Sequence, residues 1–390
     1  MSTIASPALK WSDGFLDDMR VVGDPLADEA VDKLFESDRI YSEWELMKKL
    51  VENDQVVPEE LSPCLRDYLE ATSRIPSFDP AVTAAGQQLF EAHGWEILMV
   101  LAFYALPASY AARKGVQVLY RSGYLNHRPN HRVFETTQMV MDVMSPGGLS
   151  AGARGVRSAQ KVRLMHAATR RLILHDPEKP WPKEFGIPIN QEDLAGTLMV
   201  FSYLILEGLE KLGIEVAPEQ QQGYLETWNV IARLMGIREE LIPEDVGQAR
   251  ELCHRIQERQ VQVCPEGKAM TNALLEMTER KIPPGPWRGW PGALMRHFLP
   301  AEIADGFEIP RHRFKESILR RIVEIGSKDS QEPRTNSPHP RIARAIALRW
   351  IKVLVSLELG GKRTPFVLPT NLHHGGALSR LPSVWQQLRR

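Results

Sequence analysis

Cysteine is scarce in this chain: 3 in 390 residues (Cys64, Cys253, Cys264), with no CxxC pair. So thin and scattered a set excludes a disulfide framework and a thiolate zinc site, and predicts a reducing compartment. The opening MSTIASPALKWSDGFLDDMR has no basic segment leading into an apolar one, so neither a secretory nor a twin-arginine signal is expected, and the expected location is cytoplasmic. Charge of either sign is not in excess. The 48 Lys plus Arg face 49 Asp plus Glu for a net −1, which leaves no global field to hold nucleic acid or an anionic membrane. Long hydrophobic runs are missing too. The most apolar, Ile97 to Leu106, is about half of the roughly 20 residues that a membrane-spanning helix needs, so no transmembrane segment is expected and the run reads as a core helix.

Strand signals are equally sparse, with few period-2 runs and no Asn-Gly or Asp-Gly turn joining two of them. HExxH, GxSxG and Walker sequences do not occur, and the Gly-rich stretch Ser145 to Gly155 follows no strand, which argues against a phosphate cradle. What the chain does have is helical periodicity, and a hydrophobic fraction of 43% is ample for a core. Apolar spacing predicts helices at 81–93, 95–105, 108–122, 132–144, 158–174 and 191–212, then near 218–236, 244–259 and 266–280. The fold class is all-α: one helical domain with N- and C-terminal extensions. Residues 1–80 read as an arm of short amphipathic helices (28–37 and 41–52), 81–300 as the core, and 301–390 as an extension. That extension has a helix near 340–359, reached through a polar connection over 328–338.

Two helices carry polar groups on apolar faces. Over 158–174, Val162, Met165, His166, Thr169, Leu172 and Ile173 follow i, i+3, i+4, i+7, so His166 projects from an apolar stripe. On this pattern alone a hydrogen-bonded core histidine is the commoner outcome. Over 132–144, Arg132, Glu135, Thr136, Met139 and Val143 share a stripe and aim a cation, a carboxylate and a hydroxyl at whatever that face covers. His127 and His131 have i, i+4 spacing suited to a metal, but Pro129 between them argues against a shared helix.

The segments VRLMHAATRRLI (162–173), GIPINQEDLAGTLMVFSYLILEGLEKLGI (186–214), GWEILMVLAFYALPASYAARKGVQVL (94–119) and GDPLADEAVDKLF (23–35) occur in one order over roughly residues 20–300. In these the chain resembles the haem-b family of latex-clearing proteins (rubber oxygenases) and mycophenolic-acid-pathway oxygenases. The resemblance implies a globin-like haem-binding core with His166 as the proximal iron ligand and metal-binding residue. It also implies a distal element at Arg132-Val133-Phe134-Glu135-Thr136. Arg132 and Thr136 match that element, whereas Glu135 stands where rubber-cleaving members carry lysine. A neutral lysine amine can take the sixth iron position; a carboxylate suits proton acceptance or water binding instead.

On the resemblance, Arg132 would stabilise bound dioxygen or an oxyanion, Thr136 would donate a hydrogen bond, and the cofactor would be haem b. Arg163 and Arg170 are the first candidates for the haem carboxylates, with Lys161, Arg154, Arg157 and Arg171 nearby. Leu164, Met165, Leu198, Phe201 and Ile205 are candidates for the wall of a hydrophobic pocket. The expected function is that of an oxygenase using dioxygen on a small hydrophobic, alkene-containing substrate, its electron donor not named by the sequence. A non-catalytic haem sensor or carrier, an apo helical scaffold and a hydrolase using His127, His131 and His166 are the alternatives.

Overall fold

The computed structural model describes residues 10–37, 39–74, 78–122, 129–281, 285 and 288–329. Every element of regular secondary structure in them is helical, apart from an isolated bridge between Ala112 and Val261. The N-terminal part holds α1 (Asp13–Met19), α2 (Pro25–Glu36), α3 (Ile40–Lys49) and α4 (Pro63–Ser73). Next come α5 (Pro80–Val100), a π-helical turn at Leu101–Ala105 and α6 (Leu106–Tyr110). The chain continues through α7 (Arg113–Arg121), α8 (Pro129–Met144), α9 (Gly155–Leu174), α10 (Gln191–Phe201) and α11 (Tyr203–Lys211). Then follow α12 (Pro218–Leu234), α13 (Val246–Gln260), α14 (Pro265–Lys281), α15 (Trp290–Phe298), α16 (Ala301–Gly306) and α17 (Arg313–Asp329).

Local chemistry sets many of these boundaries. Ser12, Asp24, Asp79, Asn190 and Asp245 each accept a hydrogen bond from a backbone N–H in the following turn, satisfying donors that a helix start leaves open. Proline at the first position of α2, α4, α5 and α12 loses nothing there, since that N–H has no intrahelical partner.

The separation of 81–93 from 95–105 expected from sequence spacing falls at a kink, where His93 leaves helical geometry (φ −125°, ψ 22°). Beyond the kink the second segment runs past the expected end at 105 to Tyr110. The continuous unit Pro80–Tyr110 spans 31 residues and is long and apolar enough to cross a membrane by length and composition. The π turn lies just before Pro107, which lacks the N–H an α-turn would use, and Leu106 N–H bonds to Leu101 O instead.

In this fold α5 packs its glycine face on α12. A Cβ on Gly86 would lie 2.3 Å from Gly223 O, and one on Gly223 would lie 2.4 Å from Val82 O, so the two backbones touch where glycine alone fits. Around that crossing a single apolar core runs, with Leu89, Leu225, Ile97 and Leu209 almost fully buried. Each such side chain contributes roughly 1.5–3 kcal/mol on burial.

Helix α9 lies across α2, α8 and α12. Its basic face is zipped to α2, where Arg163 meets Asp24, Arg170 meets Asp28 and Arg171 meets Asp32, the three acids being spaced four residues apart on one side of α2. The helix predicted over 191–212 is broken at Ser202 (φ −106°, ψ −82°), whose backbone N–H and hydroxyl both donate to Leu198 O. Residues 328–329, expected in a polar connection, close α17, and the helix expected near 340–359 lies outside the described residues.

Candidate functional site

Helix α9 presents Val162, Met165, His166 and Thr169, at spacings of three and four along one face, to a cavity of about 320 Å³. This is the apolar stripe read from the sequence, and His166 is the single histidine among the described lining residues. Helix α8 supplies Glu135, Thr136 and Met139 to the same cavity. Pro129 is the first residue of α8, so His131 lies on this helix with its side chain outside the described residues, and His127 lies outside them altogether. Arg132 is on the helix too, one turn before Thr136, with its side chain likewise undescribed.

The other walls come from α6 and α7, through Ser109 and Val118 among others, and from α10, α12 and α13, through Leu198, Phe201, Trp228, Ile231, Cys253 and Ile256. Phe201 stacks on Trp228 with ring centroids 5.0 Å apart and planes at 24°. Met165, Leu198 and Phe201 therefore line the pocket as expected. Leu164 and Ile205 do not; both are buried in the general core, because they point away from the faces that carry His166 and Phe201.

Ionisable lining groups are few. Glu135 is 5% exposed, His166 and Thr136 are half-buried, and Glu192 and Asp193 close one side from the first turn of α10. Glu192 is held by Arg20 (2.9 Å), Arg259 (2.9 Å) and the Gln260 side-chain amide (2.9 Å). Burial pushes the Asp193 carboxyl above its ordinary range, opposed by the Arg20 guanidinium 3.1 Å away. Burial, and after it the Glu207 carboxylate, raises the Cys253 thiol well above its usual value. These two acids and Gln260 were not picked out as site residues. Their one signal is an acid pair in the first turn of an apolar helix, and that reads as an ordinary response to the helix dipole.

Arg163 and Arg170, the first candidates for the haem carboxylates, are both engaged with other groups. Arg163 donates to Asp24 Oδ1 (2.7 Å) and Leu234 O (3.0 Å), and Arg170 binds Asp28, Pro188 O (2.9 Å) and Ile189 O (2.8 Å). Their guanidinium groups hold the N-terminal part of the chain to α9 and do not line the cavity. Lys161 donates to Leu50 O, and Arg157 to Glu52 O and Gln55 O, so these candidates are also held by backbone.

The residues present suit a haem in two respects. A neutral imidazole on an apolar wall is a normal axial ligand, and the mostly hydrocarbon lining matches a flat, apolar macrocycle. Cys253, the other strong iron donor in the lining, has burial working against its thiolate form.

Comparison with known proteins bears on the family and the fold. The family profile described as "ER-bound oxygenase mpaB/B'/Rubber oxygenase, catalytic domain" matches residues 89–325. A rubber oxygenase of Streptomyces sp. (strain K30) is 26% identical over 335 residues, 82% of this chain and 79% of that protein. A solved structure of latex clearing protein LCP in the closed state superposes with a TM-score of 0.75 at 23% identity, covering 90% of this chain and 95% of that one. The helical fold is shared.

Proposed function

The chain belongs to the family of the mpaB/B' and rubber oxygenases, and from that premise we propose that it is an oxygenase holding haem b through His166 and acting with dioxygen on a small hydrophobic, alkene-containing substrate. The observation that carries the reading is that His166 of α9 and the acid–hydroxyl pair Glu135 and Thr136 of α8 line one apolar cavity. Haem bound there supplies the redox chemistry of dioxygen.

The chain's own groups do the rest. His166 would hold the iron of the bound haem through its imidazole. Thr136 offers its hydroxyl as a hydrogen-bond donor on the α8 side of the cavity. The Glu135 carboxylate takes a proton from the substrate or from a water molecule. Arg132, on the same stripe, is the cation for developing negative charge. The aliphatic and aromatic walls bind the substrate by burying its hydrocarbon and keep water away from these groups. With glutamate where the resemblance places lysine in rubber-cleaving members, we infer a small alkene rather than a polymer as substrate.

The test is the ultraviolet-visible spectrum of purified protein, as isolated and with dithionite, beside His166→Ala, followed by oxygen-uptake assays with small alkenes. A Soret band present in wild type and lost in the variant, with alkene-dependent uptake, is expected. A wild type that stays colourless after haem is supplied overturns the reading. A His166-dependent spectrum without uptake would leave a haem-binding carrier.

A further inference from the structure

The near-neutral total conceals a separation of charge along the chain. Residues 311–390 hold 16 Lys and Arg against 5 Asp and Glu, a net +11, which leaves −12 on residues 1–310. A chain divided in this way has a strong local field at one end although its sum is −1, and such asymmetry points to a polyanionic partner.

The described part of the cationic stretch is α17, and its two sides differ. One is anchored: Leu319 is 6% exposed, Glu316 Oε1 accepts from the His312 N–H (2.8 Å), Lys315 donates to Arg288 O, and the helix packs on α15. The other is open to solvent and carries Arg313, Phe314, Ser317, Arg320 and Arg321, at spacings of three and four. Phe314, 79% exposed, is the most exposed aromatic side chain among the described residues. Arg313, Arg320 and Arg321 make no ion pair among the described residues, unlike Arg296 and Arg311, which share Asp305. Arg313 also stands first in α17, where the helix dipole disfavours a cation. A bare ring among unpaired guanidinium groups matches a surface that is anionic outside and hydrocarbon just beneath.

We propose that α17 docks on the surface of an anionic phospholipid bilayer, with Arg313, Arg320 and Arg321 meeting lipid phosphates and Phe314 entering the acyl boundary. The sequence beyond α17 favours lipid over nucleic acid. From Arg341 to Leu359, Arg344, Arg349 and Lys352 are interleaved with aliphatic residues, whereas basic tails that hold nucleic acid are blocks of like charge. Residues 330–390, with 10 Lys and Arg against 2 acids, are repelled by the cations of α17, so charge disfavours them as its cover. The proposal stands apart from the cofactor reading of the cavity, although a bilayer is also where a hydrocarbon substrate collects.

The experiment is flotation of the purified full chain with vesicles of phosphatidylcholine alone or with about 30% phosphatidylglycerol, at about 0.1 M and about 1 M salt. At the lower salt, binding to the anionic vesicles should be about tenfold or more tighter than to the neutral ones, and it should be lost at the higher salt, where charges are screened within about 3 Å. Replacing Arg320 and Arg321 together by glutamine should weaken anionic binding about tenfold, and Phe314→Ser should do the same by removing the inserted ring. All three side chains are exposed, so the melting temperature of both variants should stay at the wild-type value.

Equal binding to neutral and anionic vesicles would overturn the proposal, as would binding unchanged at the higher salt or either variant binding as wild type does. Tighter binding to a DNA duplex than to the anionic vesicles would assign the charge to nucleic acid instead. Salt-sensitive self-association without vesicle binding would assign α17 to a second copy of the chain. Flotation does not depend on the His166 spectrum, so failure here leaves the oxygenase reading standing.

Discussion

Arg20, which caps the C-terminus of α1, donates through Nη1 to Glu192 Oε2 at 2.9 Å across 172 residues of sequence, and neither side chain is more than 5% exposed. The same guanidinium reaches Asp193 (3.1 Å) and Phe185 O (2.6 Å), while Arg259 joins Glu192 to Asp13 and Asp17 of α1. A short N-terminal helix thus ties α10 to α13, the two helices that form one wall of the cavity.

Removing one member of that network leaves a buried charge short of its partner. Arg20→Ala should therefore lower the unfolding free energy by about 3–5 kcal/mol in urea titrations. Replacing Arg20 and Glu192 together with methionine should cost less than the sum of the single replacements. An Arg20→Ala midpoint indistinguishable from wild type would show the network to be ornamental.

The crossing of α5 and α12 makes a second prediction about stability. Gly86→Ala drives a Cβ into backbone atoms of Gly223 that no rotamer change can move, so the helices must separate. A loss of about 3 kcal/mol is expected, at the upper end of ordinary overpacking, measured by thermal or urea unfolding. Gly14→Ala, where nothing lies within 4 Å of the added Cβ, is the control and should leave stability nearly unchanged.

Acid pH should act on the surface end of the same network. A hydrogen bond from Arg259, with Arg255 close by, holds the Asp13 carboxyl below its ordinary value of 3.8. A lowered folded-state pKa means that the stability from this group is fully present above about pH 3.8 and is lost as the pH falls through the lower, folded value. Asp193 has the opposite sign. Its raised pKa gives a contribution that is present below 3.8 and disappears as the pH rises through the folded value. Carboxyl NMR titration should find Asp13 below 3.8 and Asp193 above it, and Arg259→Gln should return Asp13 upward. Finding Asp13 unmoved in that variant would refute the assignment.

Much of this was legible in the sequence because periodicity reports burial directly. The stripe Val162, Met165, His166, Thr169 and the pair Glu135 and Thr136 were readable from spacing of three and four, and the fold brings both to one cavity. Partners distant in sequence were not readable in this way. Arg163 and Arg170 sit beside the histidine in sequence, yet the acids they bind lie 139 and 142 residues away at the start of α2, which no spacing around His166 reports. Helix starts with plain caps, such as Ser12 before α1 and Ser62-Pro63 before α4, carried a signal that apolar spacing alone passed over. The break at Ser202 left none, since an apolar run with a single serine reads as continuous helix.

Glu135 offers the sharpest separation between holding the cofactor and using it. It lines the cavity from α8, while the proposed iron ligand belongs to α9, so replacing it should leave haem binding intact. If its carboxylate takes up a proton during turnover, Glu135→Gln keeps the shape and removes the base. The maximal rate should then drop by about 100-fold or more with little change in KM. Glu135→Lys makes a different change, because an uncharged amine on a buried wall is a strong iron donor. Its spectrum should move toward that of a six-coordinate, low-spin haem as the pH rises and the amine deprotonates. A Glu135→Gln variant with wild-type turnover would assign the proton to another group. A Glu135→Lys spectrum that does not respond to pH would mean that α8 and the iron are too far apart for this side chain to act at the reacting centre.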